Sequence, residues 1–143
     1  MEIKDIKNWF EIAIPEPTKE QACVQIGCHY EEVAEMLDAT EDYNNEITYA
    51  SGRYKACDSA YMEIVNDLTN EEKVELLDSL ADQIVTAIGV AHMLGMDIEG
   101  ALEEVNRSNH SKFEDGKAVF DENGKIKKGK YYTGPQLKKF IGK

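Results

Sequence analysis

Apolar residues recur at intervals of three and four along most of the first 110 positions, the spacing of one face of an α-helix. Two capping boxes mark where helices begin, Thr18-Lys-Glu-Gln21 and Thr69-Asn-Glu-Glu72. Pro15, Pro17 and Gly95 mark where helices end. Together these signals predict helices over residues 4–13, 19–39, 45–67, 70–94 and 98–107.

Short connections between these segments predict an all-α fold, an antiparallel four- or five-helix bundle. The turn signals Asp115-Gly116 and Asn123-Gly124 flank residues 117–120 and 125–128 and add a small C-terminal β-hairpin or loop appendage. We therefore divide the chain into a helical domain, 1–112, and a basic C-terminal tail, 113–143, packed on the same domain.

The segment from Ile84 to Leu94 is apolar on every side, which predicts that its helix is the central element of the bundle. His92 in this segment is then expected to be a core histidine with its polar atoms satisfied. Asp82 is the only charged residue between Leu80 and Val90, and a buried aspartate is paired or coordinates a metal. A chain this short cannot cover every side of such a helix, so we expect a homodimer or homotetramer.

Composition and charge narrow the classes of function. The 143 residues are 42% hydrophobic and 31% charged, ordinary values for one globular domain. Residues 1–106 hold 6 Lys/Arg against 24 Asp/Glu, whereas residues 107–143 hold 10 against 4. We expect the acidic body to repel nucleic acid and attract cations, with no nucleic-acid partner. The basic tail either docks on the acidic body or meets a phosphate.

Location is expected to be cytoplasmic. No apolar stretch has the length of a membrane span, and the first residues do not resemble a signal peptide. The three cysteines are odd in number and lack metal-ligand spacing, which favours reduced thiols. No membrane partner is expected.

Two groups of carboxylates carry the candidate chemistry. Glu31, Glu32 and Glu35 lie near one another on a helix, since residues three and four apart are neighbours. Asp78 and Asp82 are one turn apart on a second helix. Hard cations such as Mg²⁺ prefer oxygen ligands, and facing helices of a bundle can supply them. Glu32, Glu35, Asp78 and Asp82 are therefore the predicted metal ligands.

Alternatives to this site remain open. The acidic run on the first helix is also typical of a solvated helix face. A di-iron carboxylate site is disfavoured, because such sites take a Glu-x-x-His from each of two helices and the chain contains no such motif. His29 stands three residues before Glu32, in the reverse order.

A third cluster follows at the end of the last predicted helix, where Asn106 to Lys112 offers cations, hydroxyls and amides. Such groups bind polyphosphate oxygens and a sugar or base edge. The other interpretation is an ordinary helix C-terminus, where cations complement the helix dipole. The candidate substrate-binding residues are Arg107, Asn109, Lys112, Lys128, Lys130 and Tyr131, the last for base stacking.

Three motifs in this order carry a resemblance to a known family. Glu31-Glu-Val-Ala-Glu35, then Leu-Ala-Asp82, then Glu104-Val-Asn-Arg-Ser-Asn-His-Ser-Lys112 resemble the all-α nucleoside triphosphate pyrophosphohydrolases, and most of all their MazG-like, often phage-encoded members. The resemblance runs from about residue 25 to residue 112, and the tail is similar to that of small phage versions. The position three before Asp82 is Ser79 where the family has glutamate, and Asp78 or Glu75 are the candidate substitutes.

The resemblance implies a dimeric or tetrameric helical enzyme that uses Mg²⁺, or Mn²⁺ in its place. It implies hydrolysis of the α–β phosphate bond of a nucleoside triphosphate to a monophosphate and pyrophosphate, in a host cytoplasm if the protein is viral. Glu31 or Glu32 is the carboxylate expected to accept the proton of the attacking water. The alternative is a non-catalytic helical protein whose acidic face binds a cation or a protein partner, which Ser79 favours.

Overall fold

The computed structural model describes residues 2–142 and confirms the all-α class. Six α-helices follow one another, and a single 3₁₀ turn over Lys138–Phe140 lies near the end. The helices are α1 (Ile3–Ala13), α2 (Lys19–Ala39), α3 (Asn45–Lys55), α4 (Ser59–Asn66), α5 (Asn70–Met93) and α6 (Ile98–His110).

Local caps account for most of the helix ends. The Thr18 and Thr69 side chains each accept a hydrogen bond from the backbone amide three residues later, at 3.1 Å, and both capping boxes are complete. Asp97 caps α6 by accepting from the Gly100 amide at 3.0 Å. These bonds satisfy amides that have no partner inside the helix, so each helix begins at its cap.

The predicted continuous helix over residues 45–67 is wrong, because the chain breaks between α3 and α4. Cys57 adopts a left-handed backbone with φ of 51°. Asp58 then caps α4 by accepting from the Ala60 amide at 3.2 Å. A left-handed residue followed by a side-chain cap is a helix stop and a new start, which apolar periodicity alone does not reveal.

The chain forms two compact units. The α2–α4 unit comprises Glu16–Leu68 together with Phe120–Ile126, and the α5–α6 unit comprises residues 2–15, Thr69–Val119 and residues 127–142. The predicted division at residue 112 stays a prediction.

The α2–α4 unit is built on close packing of α2 against α3. Cys23, Tyr54 and Val65 are its buried apolar cluster. Gly27 allows the two helices to approach, since a Cβ atom there would lie 2.8 Å from the carbonyl oxygen of Ser51. The Ser51 hydroxyl donates a buried hydrogen bond of 2.7 Å to the Gly27 carbonyl. Helix α3 is therefore held to α2 by backbone contact as well as by apolar packing.

The α5–α6 unit places α1 on α6. Trp9 and Ala13 of α1 are buried, and the Trp9 ring stacks on Phe113 with the ring centroids 5.4 Å apart. Phe10 meets the edge of the same indole at 4.9 Å. Aromatic packing thus joins the first helix to the segment that follows α6.

Helix α5 is not the central core element that its apolar run predicts. Every residue from Asn70 to Ile88 is exposed, and Ala91 is the only buried residue of the helix. His92 is also exposed, so its expected place in the core is wrong. Apolar character shows that a helix needs cover, but it does not show that the same chain supplies the cover.

The tail takes the loop form of the predicted appendage. Two isolated antiparallel bridges, Glu114 with Lys117 and Phe120 with Ile126, replace a hairpin, and residues 2–142 contain no extended strand. Gly116 and Gly124 occupy the left-handed positions of the two turns, with φ of 75° and 80°.

Within residues 2–142, no single helix has both the length and the apolar content to cross a membrane. The pair Asn70–Met93 and Ile98–His110 passes that test together, by length and composition only, with a bend of 120° between its helices.

Candidate functional site

Glu31 of α2 is the centre of an ion-pair cluster in the α2–α4 unit. The Nζ atoms of Lys55 and Lys125 lie 3.1 Å and 2.9 Å from the same carboxylate oxygen, Oε2. The hydrogen bond from Lys125 is the largest of the influences that lower the pKa of Glu31, and the bond from Lys55 acts in the same direction. Glu31 therefore anchors both α3 and the segment 120–126 to α2.

This pairing bears on the predicted role of Glu31 as a proton acceptor. A carboxylate with a lowered pKa is a weaker base, and two ammonium groups already neutralise its charge. Glu32 and Glu35, further along the same helix, are exposed to solvent. Of the two predicted proton acceptors, Glu32 has the environment better suited to that role.

The carboxylates of α5 belong to the other unit. Asp78 and Asp82 are both exposed, so the premise that Asp82 is a buried charge in need of a partner is wrong. The Ser79 hydroxyl and carbonyl accept from the Gln83 amide at 3.3 Å and 3.2 Å, which ties Ser79 to its own helix. The carboxylates of Asp78 and Asp82, by contrast, both face water.

No preformed metal cage exists in the part of the chain that the structure describes. Within residues 2–142, no group of three or more His, Cys, Asp or Glu side chains is placed to hold a metal ion. The predicted ligands Glu32 and Glu35 lie on α2 in one unit, and Asp78 and Asp82 lie on α5 in the other. Within residues 2–142, the side chains of a single chain do not form a site that would hold a cation by protein ligands alone.

The candidate residues at the end of α6 are organised by the tail. Arg107 makes a two-pronged pair with Glu104, Nε to Oε2 at 2.9 Å and Nη2 to Oε1 at 2.8 Å. Its Nη1 donates to the Thr133 hydroxyl at 2.7 Å, and its Nη2 donates to the Gly134 carbonyl at 3.1 Å. Arg107 therefore uses most of its donors to hold the tail on α6.

Glu104 completes this contact from the opposite side. Its Oε1 accepts the backbone amide of Gln136 at 2.8 Å, in addition to the bonds from Arg107. The Arg107 hydrogen bond first and the Gln136 amide second lower the pKa of Glu104 to about 2. Glu104 stays ionised through the whole ordinary pH range, so the contact persists there.

Two serines whose hydroxyls were predicted only as groups that could bind phosphate add to the same contact. The buried Ser108 hydroxyl donates to the Thr133 carbonyl at 2.8 Å, and the Thr133 amide donates to the Ser111 hydroxyl at 2.9 Å. Small polar residues at turn spacing near the end of a helix were the only signal for them. Part of the Asn106–Lys112 segment is thus a docking site for residues 133–136.

A backbone contact joins the end of α6 to the part of the tail that carries the other predicted substrate-binding residues. The Gly129 amide donates to the Lys112 carbonyl at 3.1 Å, and a Cβ on Gly129 would lie 2.5 Å from that oxygen. Lys130 covers the exposed ring of Tyr131 at 5.1 Å. Asn109 is half-buried one turn before Lys112 and accepts the Lys112 backbone amide at 3.1 Å.

Other cations line the same stretch of chain. The Lys128 ammonium lies 4.9 Å from the centre of the Tyr132 ring, and the Lys112 ammonium lies 5.9 Å from that of Trp9. We call Lys112, Lys128, Lys130 and Tyr131 the basic loop surface. Its cations rest on aromatic rings, and such a surface can attract phosphate oxygens while a ring stacks on a base.

No protein-family model, curated protein or solved structure matches this chain.

Proposed function

We propose that the protein is a Mg²⁺-dependent nucleoside triphosphate pyrophosphohydrolase that releases a nucleoside monophosphate and pyrophosphate. The observation that carries the proposal is the basic loop surface, where Lys112, Lys128 and Lys130 each lie over an aromatic ring and the ring beside Lys130 is the exposed Tyr131. Ammonium groups neutralise polyphosphate oxygens, and an aromatic ring offers a face for a base.

Exposed carboxylates support the proposed dependence of the activity on Mg²⁺. Glu32, Glu35, Asp78 and Asp82 all face solvent. Mg²⁺ is commonly bound through one or two carboxylates together with substrate phosphates, so a site without a protein cage is compatible with an ion that arrives with the nucleotide. Mn²⁺ takes similar oxygen ligands and is the expected substitute. Glu32 is the carboxylate assigned to accept the proton of the attacking water.

We further propose that the active form is a homodimer through α5, with a homotetramer as the larger alternative. Five apolar residues of α5 follow the alternating three- and four-residue spacing of a helix–helix seam, namely Val74, Leu77, Ala81, Ile84 and Ile88. All five are exposed. Monomers rarely expose a continuous apolar surface of this length, and a two-fold axis would cover the seam with its own copy.

Incubation with a panel of nucleotides and Mg²⁺ tests the activity, with pyrophosphate release as the signal. Glu35→Ala and Asp82→Ala are expected to abolish release while far-UV circular dichroism stays unchanged. Glu63→Ala, an exposed carboxylate on α4, is the matched control and keeps full activity. Activity that survives both site replacements would refute the carboxylate assignment.

The basic loop surface has its own test. The double variant Lys128→Ala, Lys130→Ala is expected to raise the KM for a triphosphate by a larger factor than it raises the inhibition constant of the monophosphate. The reason is that each lysine neutralises phosphate charge, and the triphosphate carries more of it. Lys138→Ala, an exposed lysine in the 3₁₀ turn, is the control. Equal weakening for both ligands would mean that this surface does not bind the phosphate chain.

Light scattering tests the assembly. The wild type is expected to be dimeric at micromolar concentration, and Ile84→Glu is expected to be monomeric because it places a charge in the seam. Val85→Glu, one position off the seam on a residue that is also exposed, is expected to remain dimeric. A monomeric wild type would contradict the proposal that two copies pair through the apolar seam of α5.

A second candidate is a non-catalytic binding protein, which two observations favour. Helix α5 presents exposed apolar and acidic residues along its length, and the described residues contain no three-ligand metal group. The absence of pyrophosphate release with every nucleotide, from a protein that is dimeric and folded, would select this candidate.

A further inference from the structure

Two of the three cysteine thiols meet in the core of the α2–α4 unit. Cys23 of α2 is fully buried, and Cys57 is partly exposed in the turn between α3 and α4. Cys57 packs against the buried cluster that contains Cys23. Its Sγ also donates to the carbonyl of Glu20 at 3.5 Å, one turn before Cys23 on α2. The Cys57 side chain is also among the groups that raise the pKa of Cys23.

The backbone at Cys57 directs its sulfur to this place. Cys57 is one of three non-glycine residues in the described chain with positive φ, at 51°. A left-handed conformation is unfavourable for a residue with a side chain, so glycine or asparagine is the usual occupant. The side chain at this position instead packs against α2, where it places a thiol beside a second thiol.

We infer that Cys57 and Cys23 form a reversible modification site, a dithiol that low-molecular-weight disulfides convert to an intramolecular disulfide. This inference is independent of the proposed hydrolase activity and of the dimer. The disulfide would link α2 covalently to the turn between α3 and α4. The carboxylates and the basic loop surface play no part in it.

The reaction proceeds in two exchanges. The partly exposed Cys57 loses its proton to solvent, and its thiolate attacks one sulfur of the small disulfide, which releases one small thiolate and leaves a mixed disulfide on Cys57. The Cys23 thiolate then attacks the Cys57 sulfur and expels the second small thiolate. Two protein thiols are oxidised, one small disulfide is reduced to two thiols, and the released protons end on those thiols.

The environments of the two sulfurs set this order. Burial is the largest of the influences that raise the pKa of Cys23 to about 11. A buried thiol that is almost wholly protonated near neutral pH is a poor first nucleophile, whereas it can act as the resolving thiol once the disulfide is brought against it. Cys28 lies five residues beyond Cys23 on α2, beside Lys125 and Lys55, and provides an internal control.

The test treats the full-length protein with oxidised glutathione and counts free thiols after denaturation. The wild type is expected to fall from three thiols to one, to lose about 2 Da in intact mass, and to regain three thiols with excess reduced glutathione. Peptide mapping is expected to join the peptides of Cys23 and Cys57. The link closes the loop between these positions and is expected to raise Tm by roughly 5–10 °C.

Three variants give the contrast. Cys28→Ser is the matched control and still loses two thiols, whereas Cys23→Ser stops at the mixed disulfide with glutathione on Cys57. Cys57→Ser is expected to form no intramolecular disulfide, because the partly exposed thiol that pairs with Cys23 is gone. The inference is overturned if the wild type retains three thiols under conditions that oxidise a small-molecule dithiol, or if the mapped disulfide contains Cys28.

Discussion

Replacement of Gly27 by alanine probes the contact that joins α2 to α3. A Cβ atom at this position would lie 2.5 Å from Cγ of Lys55, 2.6 Å from its backbone nitrogen and 2.8 Å from the carbonyl oxygen of Ser51. Two of these three atoms are backbone, so a change of side-chain rotamer cannot relieve the overlap. The helices must move apart by several tenths of an ångström or more.

The expected cost follows from three contributions. Overpacking of a close helix contact costs roughly 1–3 kcal/mol. Separation of the helices also breaks the buried 2.7 Å bond from Ser51 to the Gly27 carbonyl, and an unsatisfied buried hydroxyl costs about 1–3 kcal/mol. Alanine returns about 1 kcal/mol as the better helix former. We expect Gly27→Ala to lower the free energy of unfolding by about 1–5 kcal/mol.

Urea unfolding followed by circular dichroism at 222 nm measures this change. Gly52→Ala is the matched control, since Gly52 is also a helical glycine in the same unit, but a Cβ atom added there would have nothing within 4 Å. It is expected to gain up to about 1 kcal/mol from helix propensity. A Gly27→Ala protein as stable as the wild type would refute the close approach of α2 and α3.

Three other predictions concern single side chains. Glu31 has a lowered pKa, so its pairing with Lys125 stabilises the fold above the unfolded-state pKa, and this stabilisation is lost as pH falls through the folded-state pKa. Glu31→Gln is expected to lower the free energy of unfolding by about 1 kcal/mol in urea at pH 7 and to make that free energy fall less between neutral and acid pH. Glu104→Gln removes the carboxylate, of pKa about 2, that accepts the Gln136 amide, so hydrogen exchange at the Gln136 amide is expected to quicken at neutral pH. An exchange rate equal to that of the wild type would contradict the docking contact. Glu41 has a left-handed backbone with φ of 59°, so Glu41→Gly is expected to raise stability by roughly 0.5–1 kcal/mol in the same urea assay, and a loss would contradict that backbone conformation.

Helix positions were largely predictable from the sequence because their determinants are local. The bounds predicted from the Thr18 and Thr69 capping boxes agree with α2 and α5 to within a residue. Asp97 likewise begins α6, although that helix continues three residues past its predicted end to His110. The break at Cys57 was missed, because a cysteine in a left-handed conformation leaves no mark in the apolar periodicity.

The candidate site was predictable in its residue types and not in its pairings. Charge segregation along the chain showed that acidic helices precede a basic tail, but not which cation meets which carboxylate. Lys125 bonds Glu31 across 94 positions, and Arg107 bonds Thr133 across 26. Such pairs depend on how distant segments pack, so spacing within one helix cannot assign them.

The sequence by itself determined where most of the helices lie, which of them are apolar or acidic, and where the two threonine capping boxes stand, because a cap and a periodic face depend on neighbours within a few positions. Only the tertiary structure decided that α5 stands exposed, that Glu31 is neutralised by two lysines, and that the tail is docked on α6. Whether a residue is buried or ion-paired depends on the groups that pack against it. Those groups are brought in by segments far apart in the chain.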